Sequence, residues 1–384
     1  MNKKEIAEIK KQYTMEKNTI ARIRGCYVDG EKQVKTSLSE AFGTLDEEEA
    51  FKYLAIFKKT LSGTVGKNLL TLDFPLEAEL SGGGQEFLLR LRESFLKDDV
   101  LTEEFFNRVI DSYGYGENYY IILIDVSYDV PGKASDNMEM YDASDNIYHY
   151  LLCSICPVKQ SKAGLGYYAE DNRIRSLDQD WVVEAPMHGF VFPCFHDRYS
   201  DIHSLLFYSR NPSDLQEDFL HNMFGCDRVP MTAPEQQETF RELVSAVLED
   251  ACDYDTVSGI QEVLNTHLEE LKEEPEMPEL GRQEVRRLFE ESGVSAEQLE
   301  HFDTRYDEHA GEKTTFLLSN LTASGKLTID MPEISVQVKP DAAHLVRTEM
   351  IDGRQCLVIE LNEQVAVNGI DLQLGPKKPE PQEA

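Results

Sequence analysis

The segment from Tyr119 to Val130 sets chemistry-bearing side chains in a regular order. Strand alternation puts Tyr120, Ile122, Ile124, Val126, Tyr128 and Val130 on one face, and Tyr119, Ile121, Leu123, Asp125, Ser127 and Asp129 on the other. The second face turns from apolar to acidic along the strand. Two carboxyl groups on one strand face could act as general acid and base in a hydrolysis, or as ligands to a hard divalent cation. The segment beginning at Phe192 offers His196, Asp197, Arg198 and Asp201 as partners, provided the sheet brings the two segments together. The catalytic set expected on these grounds is Asp125, Asp129, His196 and Arg198.

A second constellation is built on sulfur. Cys153 and Cys156 have the CxxC spacing that supplies two thiolates to zinc, and Cys194 with His196 would make a Cys3His set. The CxxC lies inside an extended pattern, however, and strand residues three apart point to opposite faces. Small thiols filling a sheet core are the expected outcome, with zinc or another divalent metal as the alternative; no other cofactor is expected.

Three further patterns imitate sites. Leu61 to Asn68 (LSGTVGKN) resembles a phosphate loop, but it has Leu at the first position and Asn at the last, with a helical pattern before it and an extended one after it. Its glycines read as a helix stop. The acids Asp136, Glu139, Asp142 and Asp145 lack the central Gly and terminal Glu of a calcium-binding loop. His267 interrupts an apolar helical stripe and reads as a core or boundary histidine.

The elements that must position these residues fall into three stretches. Residues 1–225 mix helical and extended patterns. Asp29-Gly30 predicts a hairpin turn, Thr44 to Glu47 a capping box, and Asn118 to Val130 and Ile147 to Val158 the strongest strands. Residues 231–310 are helical, opened by a capping box at Thr232 to Glu235, with apolar stripes through Phe240, Leu243, Val244, Val247 and Leu248 and through Val257, Ile260, Leu264, Leu268 and Leu271. The run EEPEMPE at Glu273 to Glu279 is a linker or helix break. Residues 312–374 return to a period of two, with a turn at Ile351 to Arg354, and residues 375–384 are expected to be a disordered tail. The predicted class is α+β: a largely antiparallel mixed sheet with flanking helices, an acidic helical segment and a small C-terminal β unit.

Charge narrows the partners. The 384 residues hold 71 Asp and Glu against 38 Lys and Arg, a net charge of −33. This excess repels phosphate backbones and anionic lipid heads, so neither a nucleic acid nor a membrane is expected as partner. The excess is uneven: residues 231–310 carry a net −16, whereas the first sixty carry +2. A basic protein partner fits such an acidic helical surface. No apolar run follows the N-terminal lysines as in a signal peptide, and the longest, Tyr119 to Ile124, is far below the ~18 residues of a bilayer span. Seven scattered cysteines fit reduced thiols, so a cytoplasmic setting is expected.

Several strings resemble an uncharacterised family of clostridial-type bacterial proteins known as a domain of unknown function. They are MNKKEI at Met1–Ile6, RIRGCYV at Arg22–Val28, KTLSGTVGKN at Lys59–Asn68, LCSICPVK at Leu152–Lys159 and DWVV at Asp180–Val183. The resemblance spans nearly the whole chain and implies a bacterial, intracellular setting; it brings no catalytic residue with it. Two readings of function follow. One is an interaction or regulatory protein using its acidic helices; the other is a hydrolase using the Asp125 and Asp129 face.

Overall fold

Aromatic and β-branched residues at period two build the centre of the molecule, because such side chains pack well on a pleated surface. The computed structural model describes residues 1–133, 139–140, 146–177, 179–226, 229–271, 274, 278–322, 327–361, 365–367 and 369–372. It divides into two units, Met1–Glu235 and Gln236–Ala384.

The first unit runs α1 (Lys3–Lys10), β1 (Ile20–Val28), β2 (Val34–Ala41), α2 (Glu47–Thr60), β3 (Leu69–Asp73), α3 (Gly84–Glu93), α4 (Asp99–Ser112) and β4 (Tyr119–Val130). It continues through β5 (Gly132–Lys133), β6 (Glu139–Met140), β7 (Asn146–Gln160), β8 (Leu165–Tyr168), β9 (Arg173–Ser176), β10 (Trp181–Val183), β11 (His188–Phe192), β12 (Cys194–His196), β13 (Tyr199–Asp201), β14 (Ser204–Ser209) and α5 (Glu217–Phe224). An eight-stranded sheet in the order β2-β1-β4-β7-β11-β14-β3, with β10 added to β7, forms its middle layer. Every one of these pairings is antiparallel. The chain is thus α+β, as its mixed pattern predicts.

Both faces of the sheet are covered, which is why β4 and β7 read as near-continuous apolar runs. One face carries Ile121, Leu123, Leu151, Cys153 and Phe190 against Leu88 and Leu91 of α3, Phe105 and Val109 of α4, and Phe219 of α5. The other carries Ile122, Ile124, Tyr150, Leu152 and Val191 against Ile6 and Ile9 of α1 and Leu54 and Phe57 of α2. Glycine is required where these layers come closest. A Cβ on Gly25 would meet the Tyr120 hydroxyl at 2.0 Å, and one on Gly189 would meet the Cys153 carbonyl oxygen at 2.4 Å and a methyl of Thr60 at 2.6 Å.

Local expectations meet mixed outcomes. The β1–β2 turn forms, but the Asp29 carboxylate organises it by accepting from the amides of Glu31 and Gln33, and Lys32, not Gly30, takes positive φ. No capping box forms at Thr44: the N-cap of α2 is Asp46 without a side-chain bond, and the Thr44 hydroxyl donates to the Ala41 carbonyl. The phosphate-loop imitation is a turn closed by Asn68, whose side-chain amide donates to the carbonyls of Ser209 and Arg210 at 3.0 and 3.1 Å. The acids Asp136, Asp142 and Asp145 lie outside the described residues, as do most of EEPEMPE and the tail.

The second unit begins within α6 (Ala233–Leu248) and holds α7 (Tyr254–Glu270), β15 (Glu279–Leu280), α8 (Arg282–Glu291), α9 (Phe302–His309), β16 (Phe316–Leu317) and α10 (Leu318–Leu321). Three hairpins follow: β17 (Leu327–Met331) with β18 (Ile334–Val338), β19 (Val346–Ile351) with β20 (Arg354–Ile359), and β21 (Val365–Val367) with β22 (Ile370–Leu372). The capping box at Thr232 forms in both directions. The rings of Phe240, Phe289, Phe302, Tyr306 and Phe316 make one aromatic cluster, which ties α6, α8, α9 and β16 together. His267 meets Glu291 at 3.0 Å with a third of its side chain exposed, a boundary histidine as expected. The β19–β20 turn is the expected one, with Asp352 and Gly353 both at positive φ.

Candidate functional site

Asp125 is the one acid of the β4 face that the sheet encloses. Its side chain is 1% exposed, and its register neighbours are Arg22 on β1 and Leu151 on β7. One carboxyl oxygen, Oδ1, bonds His149 Nε2 on β7, and the other, Oδ2, is buried and has no partner among the described residues. His149 stands opposite Ser127 in the strand register, and its side chain is 18% exposed. Its ring lies flat on Phe95, with centroids 4.7 Å apart and planes 13° from parallel, and Phe95 is 45% exposed. The carboxyl is therefore sequestered, and the imidazole is the link between it and solvent.

A buried arginine fixes the segment that carries Phe95. Arg24 on β1, whose register partner is Leu123, donates from Nε and Nη2 to the Leu96 carbonyl at 3.0 and 2.6 Å and from Nη2 to Asp99 at 2.8 Å, and it also bonds Ser39. Phe95 and Leu96 both take positive φ, a geometry that costs free energy for residues with a Cβ. The clamp on the Leu96 carbonyl and the full burial of the Leu96 side chain hold that turn in place. Arg92, three residues before Phe95, also has a buried Nε with no partner among the described residues.

The other expected residues lie elsewhere. Asp129 shares the β4 face with Asp125 but is exposed at the strand end. His196 is exposed and meets Asp197 at 3.6 Å. Arg198 turns to α1, 3.4 Å from Glu8, and donates to the Pro131 carbonyl, while the Asp197 amide donates to Glu5 at 2.8 Å. This hairpin packs beside the α1–α2 face of the sheet, because Cys194 and Phe195 belong to that core. It does not join Asp125.

The sulfur set is not brought together either. Cys153 faces the α3–α4–α5 core, whereas Cys156 and Cys194 face the opposite one. Burial pushes the Cys153 and Cys156 thiols upward, and that of Cys194 to about 11, which disfavours the thiolate a metal needs. Among the described residues no group of three or more His, Cys, Asp or Glu side chains is placed to hold a metal ion.

A family model described as a domain of unknown function, DUF4317, matches residues 1–370. The chain belongs to this family. No curated protein and no solved structure matches it. Among the described residues no helix is long and apolar enough to cross a membrane.

In this DUF4317 chain the residue that the sequence pattern did not single out is His149. It is a polar side chain at an apolar parity position of β7, as Arg24 is in β1 and Asp125 in β4. An imidazole whose Nε2 is held by a buried carboxyl has its tautomer and orientation fixed by that bond, leaving Nδ1 for proton transfer. A buried carboxyl bonded to a partly exposed imidazole has the form of a base with its orienting acid.

Proposed function

We propose that this DUF4317 protein is a hydrolase in which His149 is the general base and Asp125 its orienting acid. The observation that carries the reading is the buried carboxyl of Asp125, bonded through one oxygen to a partly exposed imidazole and, among the described residues, unpartnered at the other. Burying a polar group without a full set of partners costs stability, and such groups concentrate at functional sites. In the reaction His149 takes a proton from water as the water oxygen attacks a carbonyl or phosphoryl centre, Asp125 stabilises the imidazolium that forms, and the bond to the leaving group then breaks as the imidazolium returns the proton to it, which regenerates the base. The test is a panel of chromogenic esters, amides and phosphoesters. His149→Gln and Asp125→Asn are expected to lower kcat/KM by about 10²- to 10⁴-fold, and Asp129→Asn to leave it unchanged. Hydrolysis that survives in His149→Gln, or no turnover across the panel, removes the reading.

A second reading, an interaction protein, draws support from the helices of the second unit. They turn Leu243, Val247, Ile260, Leu264, Val285 and Phe289 inward and leave Glu235, Glu238, Glu242, Asp255, Glu262 and Glu290 exposed. A partner for that face would be a basic protein.

A further inference from the structure

One group of cations stands apart from the acidic character of the chain. Lys10 and Lys11 at the end of α1, Lys17 in the turn after it, and Lys58 in the last turn of α2 line an open groove of about 770 Å³ together with Ala7, Thr14, Met15 and Glu16. Lys59 adjoins it. The chain has almost two acids for every base, yet among the described residues none of these five lysines is in an ion pair. Glu16 is the one acid in the lining. Lys10 is half-buried and donates from Nζ to the Ser62 hydroxyl at 2.6 Å. Burial and the nearby charges of Lys59 and Lys58 lower its proton affinity, the mark of cations held closer than they would choose.

Attraction to helix C-termini accounts for Lys10 and Lys11 on α1 and for Lys58 and Lys59 on α2. It does not account for Lys17, on the turn that follows α1, or for the two helix ends lining one groove. Four ammonium groups and one carboxylate around the groove leave a surplus of three positive charges. The volume lies within the roughly 300–1,000 Å³ of small-ligand sites. Lysine ammonium groups serve as point charges for phosphate, and the half-exposed Met15 side chain offers an apolar surface beside them.

We propose that the α1–α2 lysine groove is a binding site for a small polyphosphate, an anion of three or more charges that neutralises Lys10, Lys11, Lys17 and Lys58 together. The groove lies on the α1–α2 side of the sheet and Asp125 faces the other side, so this binding stands or falls independently of the hydrolytic reading.

Calorimetric titration of the full chain with tripolyphosphate and with ATP at low salt tests it. Saturable binding is expected for both, weakening as salt rises, with an affinity loss of at least about tenfold in the exposed-residue variant Lys11→Glu/Lys17→Glu. Lys10→Gln/Lys58→Gln should lose as much, and Lys3→Glu/Lys4→Glu, at the other end of α1, should bind as the native chain does. Equal affinity for the two ligands assigns recognition to the phosphates alone, and tighter binding of ATP adds a contact from its nucleoside. No saturable binding at millimolar ligand, or equal losses in the Lys3/Lys4 variant, overturns the proposal. So does an oligonucleotide that binds more tightly than tripolyphosphate at physiological salt, since the groove would then read a nucleic acid backbone.

Discussion

The two members of the Asp125–His149 pair are unequally buried, so removing them should have unequal costs. His149→Phe keeps a flat ring to stack on Phe95 and deletes only the bond to Asp125, whose side chain is 1% exposed and whose second oxygen has no partner among the described residues. The variant leaves an entire carboxyl group unpartnered beside Leu123 and Leu151, at a cost of about 3 kcal/mol. Asp125→Leu removes the polar group itself from those same apolar surroundings. It leaves behind an imidazole that is 18% exposed and can turn to water, so the cost should be about 1 kcal/mol or less. With both changes the site becomes wholly apolar and stability should return close to the native value, giving a coupling of about 3–4 kcal/mol in the double-mutant cycle. Urea unfolding followed by Trp181 fluorescence measures this, because the single tryptophan lies in the first unit and reports that unit. A His149→Phe cost no larger than that of Asp125→Leu would show that the carboxyl is not sequestered by the imidazole, and the hydrolytic reading would lose its base.

His188 gives a pH signature of its own. Its ring is buried between Tyr113, whose hydroxyl is 2.6 Å from Nδ1, and the Asp214 carbonyl, 3.1 Å from Nε2, with the Asp214 carboxylate 3.7 Å from Nε2 and Phe207 stacked on it. Burial lowers its proton affinity below the ordinary value of 6.5, against the opposing pull of Asp214. The unfolded chain then binds the proton more readily, so this contribution to stability is complete above pH 6.5 and is lost as the pH falls toward the folded-state value. Unfolding midpoints of the native chain and His188→Gln should therefore diverge above pH 6.5 and converge below it; parallel pH curves would show that the ring titrates alike in both states. For the acidic helices, binding of any basic protein captured by the second unit should weaken steeply with ionic strength, and capture indifferent to salt would set the charge of residues 231–310 aside as the source of affinity.

What the sequence revealed of this site, and what it hid, follows from the range of the forces involved. Alternation is local, so the two faces of β4 were readable residue by residue, and the opposite facing of Cys153 and Cys156 followed from the same parity. Register is not local. Residues 131–145 separate β4 from β7, and no spacing rule states that Ser127 will stand opposite His149 rather than Leu151. Distance along the chain made His196 and Arg198 equally eligible partners, and only the packing of the β12–β13 hairpin beside α1 takes them away from Asp125. The capping box at Thr44 does not form because α2 starts after Asp46, two residues on, and the Thr44 hydroxyl bonds the Ala41 carbonyl instead. One signal was nevertheless present. Asp125 and His149 each break an apolar run at the interior parity of their strands, and Arg24 is a buried charge at the same parity of β1, the neighbour of β4. A polar residue in one such strand can be a solvated end; three that fall in adjacent register rows on one sheet face have to share a purpose or pay separately for burial. That argument needs the strand order β1-β4-β7, in which β4 lies beside β1 although β2 and β3 come between them in the chain.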